Sequence, residues 1–200
     1  MEDILYDRKE KFINILREKV KREGIEELIT YLEKSDFFTA PASARYHCDH
    51  EGGLCEHSLN VYNRLNKIVL DEYGNYDTIS EESIVVCGLL HDLCKIDFYK
   101  VDFRNVKENG EWVQKPYYSV DEKLPYGHGE KSVYIINGFI RLTREEALAI
   151  NWHMGGFDAR VQGGSGGSIS ESFRRFPLSV WLHVADLSAT YIDENSLLKK

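Results

Sequence analysis

The 200-residue sequence contains no run of eighteen apolar residues and no apolar segment near its amino terminus. The first absence excludes a membrane-spanning helix, and the second argues against a secretory signal peptide. Basic side chains are also scarce, because 25 lysines and arginines stand against 33 aspartates and glutamates, a net charge of −8. This balance opposes binding of extended duplex or single-stranded nucleic acid. We therefore expect a soluble cytoplasmic protein with no membrane partner, whose charge is compatible with a small anionic substrate held through metal ions.

Cysteine is rare as well. The sequence has four, and they form two pairs whose members are seven residues apart, Cys48 with Cys55 and Cys87 with Cys94. Neither pair has the C-x-x-C spacing of a zinc or redox site. We expect buried, reduced thiols, with Cys87 and Cys94 filling the core around a predicted helix.

Apolar residues recur at helical spacing along most of the chain, which predicts a mainly α fold in a single domain over residues 1–200. An amphipathic helix over Glu2 to Glu23, closed by Gly24, and a shorter helix after it are predicted to be scaffold. Thr143 and Glu146 form a capping-box pair at the start of another helix. That helix is predicted over residues 143–153, and the others cover residues 54–73, 81–95, 127–140 and 177–194.

Three segments depart from the helical pattern. Residues 35–53 lose periodicity and are predicted to be a loop. Alternating aromatic and β-branched residues around Asn109 and Gly110 predict a β-hairpin of about residues 101–119, inserted between helices. Its aromatic side chains are expected to pack, with a lid or a stacking platform as the alternative. Residues 163–168 have the composition of a flexible Gly/Ser linker and are expected to be mobile.

Titratable side chains occupy the apolar faces of several predicted helices. One histidine in such a position is more often a hydrogen-bonded core residue than a metal ligand. Several in one small domain would each need a separate buried partner, whereas shared cations satisfy them all. Four imidazoles and two carboxylates without a thiolate favour Mn, Fe, Co, Ni or Zn over Ca and over a structural zinc site. Four predicted helices contribute His57, His91 with Asp92, His153 and Asp186, and the start of a fifth contributes His128.

His91, Asp92 and Lys95 lie within about one predicted helical turn. Lys95 comes four residues after His91 and is therefore expected on the same side of that helix. An ammonium group near a cluster of metal ligands suits an anionic substrate. This segment is the predicted centre of the site, whereas His183 falls off the apolar stripe of the last predicted helix and is given no role.

The ordered set of histidines and aspartates resembles the HD-domain superfamily of metal-dependent phosphohydrolases, in its two-metal version. Gly52 to His57 is similar to the Gly-Gly-Leu-x-x-His entry to the first ligand helix, and His91 to Lys95 is similar to His-Asp-x-x-Lys. The strings at 127–132 and 151–156 resemble a subgroup of small bacterial and phage HD proteins of mostly unassigned substrate. The resemblance covers about residues 40–194 and leaves out the first 35 residues.

The resemblance implies a helical bundle in which Asp92 bridges two divalent metal ions. His57, His91 and Asp186 would complete the first metal's ligands, and His128 and His153 would hold the second. Two cations about 4 Å apart can activate a water and clamp a phosphoryl group.

Three further residues receive expected roles from the same comparison of motifs. Lys95 would neutralise a phosphate oxygen. Glu130 would orient a ligand or relay a proton, with an ordinary acid at a helix start as the alternative. His47 would donate to the substrate or leaving group, with a loop histidine of no role as the alternative.

The expected function is hydrolysis of a phosphate ester of a nucleotide, cyclic nucleotide or short oligonucleotide. Two other classes remain open. Some HD-domain proteins with the same four-histidine, two-aspartate set are di-iron oxygenases, and a metal could also stabilise a binding module without catalysis. Specificity is expected to come from the 36–53 loop and the hairpin.

Overall fold

The computed structural model describes residues 2–195, and this part of the chain folds into eight α-helices and one β-hairpin. The fold is mainly α, so the predicted fold class is confirmed. The predicted single domain over 1–200 stays a prediction, and Met1 and residues 196–200 lie outside the described part. The helices are α1 (Glu2–Lys19), α2 (Ile25–Lys34), α3 (Gly53–Tyr73), α4 (Glu81–Leu90), α5 (His128–Asn137), α6 (Arg144–Asn151), α7 (Gly166–Arg175) and α8 (Pro177–Ser188).

Helix α3 lies at the centre of the bundle and packs against α4 and α8, while α1 contacts both α3 and α4. On the other side, α6 packs between α5 and α8. Gly88 permits the closest approach of α4 to α3, since a Cβ atom at this position would lie 2.7 Å from the Cα atom of Tyr62. The core is built mainly of leucine, isoleucine and valine from these helices, with Phe12 and Phe37 from the amino-terminal region.

Helix α6 begins as predicted. Thr143 accepts a hydrogen bond from the backbone N–H of Glu146, and the Glu146 carboxylate accepts one from the backbone N–H of Thr143 at 2.8 Å. This reciprocal pairing satisfies two amide groups that would otherwise be unpaired at the helix start. The capping box is therefore confirmed.

Helix α4 is shorter than predicted. It ends at Leu90, and a 3-10 turn at Leu93–Lys95 follows, whereas a continuous helix was expected to Lys95. Asp92 leaves helical geometry with φ −104° and ψ 20°. The break has a physical reason, because the Asp92 carboxylate is bonded to Lys95 on its own turn and to His128 of α5. These contacts place the Asp92 carboxylate where a continuous helix would not, and the 3-10 bonds from Lys95 to Asp92 and from Ile96 to Leu93 replace helical ones.

The hairpin is confirmed and is slightly longer than predicted. Strand β1 (Tyr99–Glu108) pairs antiparallel with β2 (Glu111–Val120). Asn109 and Gly110 both have positive φ, 50° and 91°, as a tight type I′ turn requires. Its aromatic side chains were expected to pack, and this is wrong for Phe103 and Trp112, which are exposed because the two strands contact mainly each other.

The glycine-rich segment is helical from Gly166 onward, where a linker was expected throughout. The chain kinks at Gly164, which has φ 112°, and α7 begins at Gly166. The reason is tertiary packing, since Ile169 and Ser172 of α7 are buried and the Ser172 hydroxyl lies 3.0 Å from that of Ser179 in α8. Burial of this face outweighs the low helix propensity of glycine.

None of the helices in the described residues is both long enough and apolar enough to cross a lipid bilayer.

Candidate metal centre

Asp92 lies at the middle of the cluster that the structure brings together. Its Oδ1 atom is 2.9 Å from Nε2 of His128 and 3.5 Å from Nε2 of His153. Its Oδ2 atom is 3.6 Å from Nε2 of both His57 and His91. The two carboxylate oxygens therefore face two different groups of imidazoles, which is the arrangement that a bridging carboxylate would need.

Asp186 lies beside the group formed by His57 and His91. Its Oδ1 atom lies 3.3 Å from Nε2 of His57, and potential ligand atoms of His57, His91 and Asp186 all lie within 4.8 Å of one another. Potential ligand atoms of His91, Asp92 and His153 also lie within 4.8 Å of one another. All six residues predicted from the sequence thus lie in one connected cluster.

The six side chains of the cluster come from five elements of the fold. His57 comes from α3, His91 and Asp92 from the end of α4, and Asp186 from α8. The remaining two histidines depend on a close approach of α5 to the end of α6. A Cβ atom at Gly129 would lie 2.7 Å from the Cα atom of Asn151, so this glycine allows His128, the first residue of α5, to approach His153.

Backbone carbonyl groups orient two of the histidines. Nδ1–H of His91 donates to the carbonyl of Gly88 at 3.1 Å, and Nδ1–H of His153 donates to that of Ile150 at 2.7 Å. Because a carbonyl can only accept, each ring keeps a proton on Nδ1 and directs Nε2 to the centre. Both Nε2 atoms are buried and form no hydrogen bond within residues 2–195. Unpaired buried nitrogens are costly, and a metal ion would satisfy both.

The electrostatic state of the cluster suits cations. Burial lowers the pKa of His91 to about 3, so this ring is neutral, as a metal ligand must be. Burial opposes ionisation of Asp92, but the nearby Lys95 and histidines hold its pKa well below the usual range. Burial also opposes ionisation of Asp186, yet the hydrogen bond and charge of His57 outweigh it and lower the pKa of this carboxyl. Two ionised carboxylates beside imidazole nitrogens form a site for divalent ions.

His57 differs from the other histidines, because carboxylates flank both of its nitrogens. Burial alone would lower its pKa, yet hydrogen bonds to Asp186 and Glu194 prevail and raise the pKa to about 9. The metal-free ring is therefore protonated, and a metal at Nε2 would replace that proton.

Lys95 is nearly buried and contacts the central carboxylate directly. Its Nζ atom lies 2.6 Å from Oδ2 of Asp92, and its side chain lines the cavity next to the cluster. The contact with Asp92, rather than a shared helix face with His91, determines where the ammonium group lies.

The cavity has a volume of about 800 Å³ and opens onto the histidine and aspartate cluster. This volume suits a ligand of nucleotide size. The rest of its wall combines aromatic and apolar side chains with polar ones. The aromatic and apolar residues are Ala42, Tyr46, Tyr99, Met154, Phe157, Leu187 and Tyr191, and the polar ones are Ser43, Arg45, His183, Thr190 and Asn195.

The two remaining predicted site residues differ in their surroundings. His47 lines the cavity and hydrogen-bonds to Glu194. Glu130 instead forms an ion pair with Arg160 and is not among the described residues that line the cavity. Its proposed role as an orienting or relaying group stays a prediction.

Glu194 and His183 were missed by reasoning from the sequence. The Glu194 carboxylate is buried and accepts hydrogen bonds from His47, His57 and Asn60. Nδ1–H of His183 donates to the carbonyl of His153 at 2.6 Å and so supports the turn that carries this histidine. Helical periodicity excluded both, because His183 lies off the apolar stripe of α8 and Glu194 follows a π-helical turn at Ala189–Asp193. No simple sequence signal marks the π-helical turn.

A family model described as HD domain matches residues 54–173, which is 120 of the 200 residues. The chain belongs to the HD domain family. The match contains all the clustered histidines and Asp92 and ends before Asp186. HD domains bind divalent metals, and the superfamily consists largely of metal-dependent phosphohydrolases. Comparison with curated proteins and with solved structures found no match.

Proposed function

We propose that this HD domain protein is a divalent-metal-dependent phosphohydrolase acting on a small phosphate ester: a nucleotide, a cyclic nucleotide or a short oligonucleotide. The observation that carries the proposal is the pair of buried, unpaired Nε2 atoms of His91 and His153, facing opposite oxygens of Asp92 beside Lys95. Family membership supports the same class of reaction.

We assign the residues around Asp92 to two metal positions. His57, His91 and Asp186 would hold one ion, and His128 and His153 would hold the other, with Asp92 shared between them. Bound divalent cations would lower the pKa of a water molecule and polarise the phosphoryl oxygens. The backbone bonds of His91 and His153 keep the two rings in the required tautomer before any metal binds.

Lys95 adds a positive charge of the protein itself to that of the metal ions. Its ammonium group lies at the cavity wall in nearly buried surroundings, where its attraction to a phosphate oxygen is stronger than in water. His47 lies on the same wall and would protonate or hydrogen-bond the leaving oxygen. The negative net charge of the chain and the size of the cavity favour a small substrate over a nucleic acid polymer.

Turnover of a panel of phosphomonoesters and phosphodiesters with Mn²⁺ under anaerobic conditions tests this function. Release of phosphate or of the leaving group without oxygen is the expected result. Activity that strictly requires oxygen would instead assign the protein to the di-iron oxygenase class, because the same ligand set can serve that chemistry.

Asp92→Asn separates an enzyme from a metal-stabilised binding module. The variant should lose most of its bound metal, measured by elemental analysis, together with its turnover. Asp71→Asn is the matched control, since Asp71 lies exposed on α3 and pairs with Lys67. Metal loss and a lower melting temperature in Asp92→Asn, with no activity in the parent toward any ester, would favour the binding module.

A further inference from the structure

Glu194 forms a second layer behind the metal cluster. Its two carboxylate oxygens lie 3.0 and 3.1 Å from Nδ1 of His57. The same carboxylate accepts hydrogen bonds from Nδ1 of His47 at 2.8 Å and from the side-chain amide of Asn60 at 3.0 Å. Its side chain is 1 % exposed, so these contacts are shielded from water.

The contact with His57 fixes which nitrogen faces the cluster. An ionised carboxylate only accepts hydrogen bonds, so His57 donates through Nδ1–H and directs Nε2 to Asp92 and Asp186. His91 and His153 use neutral backbone carbonyls for the same purpose. A charged acceptor makes the imidazole a stronger metal ligand than a neutral acceptor does.

The contact with His47 joins the loop before α3 to the same carboxylate. The rings of His47 and His57 lie with their centroids 4.5 Å apart, and both rings border the cavity. Glu194 thus holds one side chain of the metal cluster and one side chain of the cavity wall in fixed relation.

We propose that Glu194 is the positioning residue of the metal centre, which orients His57 for metal binding and His47 toward the cavity. The inference rests on the proposed function only in taking His57 as a metal ligand. It requires no particular substrate or reaction.

A purely structural role makes a different prediction. If Glu194 only stabilised the packing of the last turns, its removal would lower the melting temperature of the metal-free protein and leave metal affinity unchanged. If it positions His57, its removal weakens metal binding in protein that is still folded. Metal affinity measured on folded, metal-free protein therefore distinguishes the two roles.

The experiment titrates metal-free protein with Mn²⁺ by calorimetry and with Co²⁺ by visible absorption, which reports the ligand geometry. Glu194→Ala should weaken binding by about 10- to 100-fold, the usual effect of losing the partner of a ligating histidine. Glu194→Gln keeps an acceptor oxygen without the charge, so its affinity should fall by only about 3- to 10-fold. The Co²⁺ spectrum of Glu194→Ala should also change shape.

Asp193→Asn is the matched control. Asp193 is the last residue of the π-helical turn that precedes Glu194, pairs with Arg64 and is not among the described cavity-lining residues. Its substitution should leave metal affinity within about twofold of the parent.

Parent-like affinity in folded Glu194→Ala would overturn the inference. If Glu194→Ala does not fold, the metal affinity of Glu194→Gln is the test. An affinity of Glu194→Gln equal to that of Asp193→Asn would overturn the inference. These titrations contain no substrate, so failure of the phosphohydrolase proposal would show separately in the turnover assays.

Discussion

Lys95 and Asp92 form a buried ion pair in which Nζ lies 2.6 Å from Oδ2. The lysine therefore touches the carboxylate that we assign to both metal positions, and it also borders the cavity. Its charge competes with cations for Asp92 and attracts an anionic substrate at the same time. The ammonium group should therefore weaken metal binding and increase turnover.

Lys95→Met should reduce turnover of phosphate esters by about 100- to 1000-fold, because a buried positive charge near the transferred group is lost. Metal content should stay at the parental level or rise, since the competing ammonium group is gone. Steady-state kinetics and elemental analysis of the same preparation check both outcomes. Loss of metal together with activity would show instead that Lys95 mainly maintains the Asp92 geometry. Lys100→Met, on the exposed part of the hairpin, is the control.

Gly88→Ala should destabilise the protein by about 3 kcal/mol, the upper range for forcing a methyl group into a packed core. The added Cβ would meet backbone atoms of Tyr62, at 2.7 Å from Cα and 3.2 Å from N, and backbone cannot move aside cheaply. Because α3 carries His57 and α4 leads into His91, metal affinity should fall as well. Urea denaturation of metal-free protein and a metal titration measure the two effects.

Gly167→Ala is the control for that substitution. Gly167 lies in α7, and a Cβ atom at this position would meet no atom of the described residues within 4 Å. Alanine should therefore raise stability there by up to about 1 kcal/mol, because it favours the helix more than glycine does. Equal effects of the two substitutions would contradict the proposed clash at Gly88.

Glu146→Gln should lower the free energy of unfolding by about 2 kcal/mol at pH 7, because hydrogen bonds to a charged group are lost. Glu146 is fully buried and accepts from two nitrogens of Arg22 and from Ser83, each at 2.7 Å. Its burial would raise its pKa, but the bonds from Arg22 outweigh that effect and lower the pKa.

The sign of the pH dependence follows from that lowered pKa. The stabilisation by Glu146 is fully present above the unfolded carboxyl pKa of about 4.3 and is lost as the pH falls through the lower folded pKa. The difference in stability between parent and Glu146→Gln should therefore shrink below about pH 4. Urea denaturation across this range measures it, with exposed Glu18→Gln as the control. A difference that stays constant into acid would argue against the ion pair as its source.

The sequence was sufficient to predict seven of the eight described α-helices, the hairpin and the set of clustered side chains. Helical periodicity and the Asn109-Gly110 turn are local signals, and the histidines stood out because they interrupted apolar faces. The order of those residues along the chain was enough to suggest the family.

Contacts between distant segments explain what was missed. The end of α4 at Leu90 depends on bonds that Asp92 makes to His128, and the helix at 166–175 depends on burial of Ile169. Glu194 reaches His57 from just beyond the π-helical turn that follows α8. Local propensity contains no information on any of these contacts.

The separation of His57 and Glu194 along the chain, 137 positions, has a consequence for folding kinetics. A contact that closes so long a loop forms late, after most of the intervening helices have packed. A metal ion bound to His57 would then stabilise the native state but not the transition state for folding. Metal should therefore slow unfolding and leave the folding rate unchanged. Its concentration would determine how long the native state lasts, not how quickly it forms.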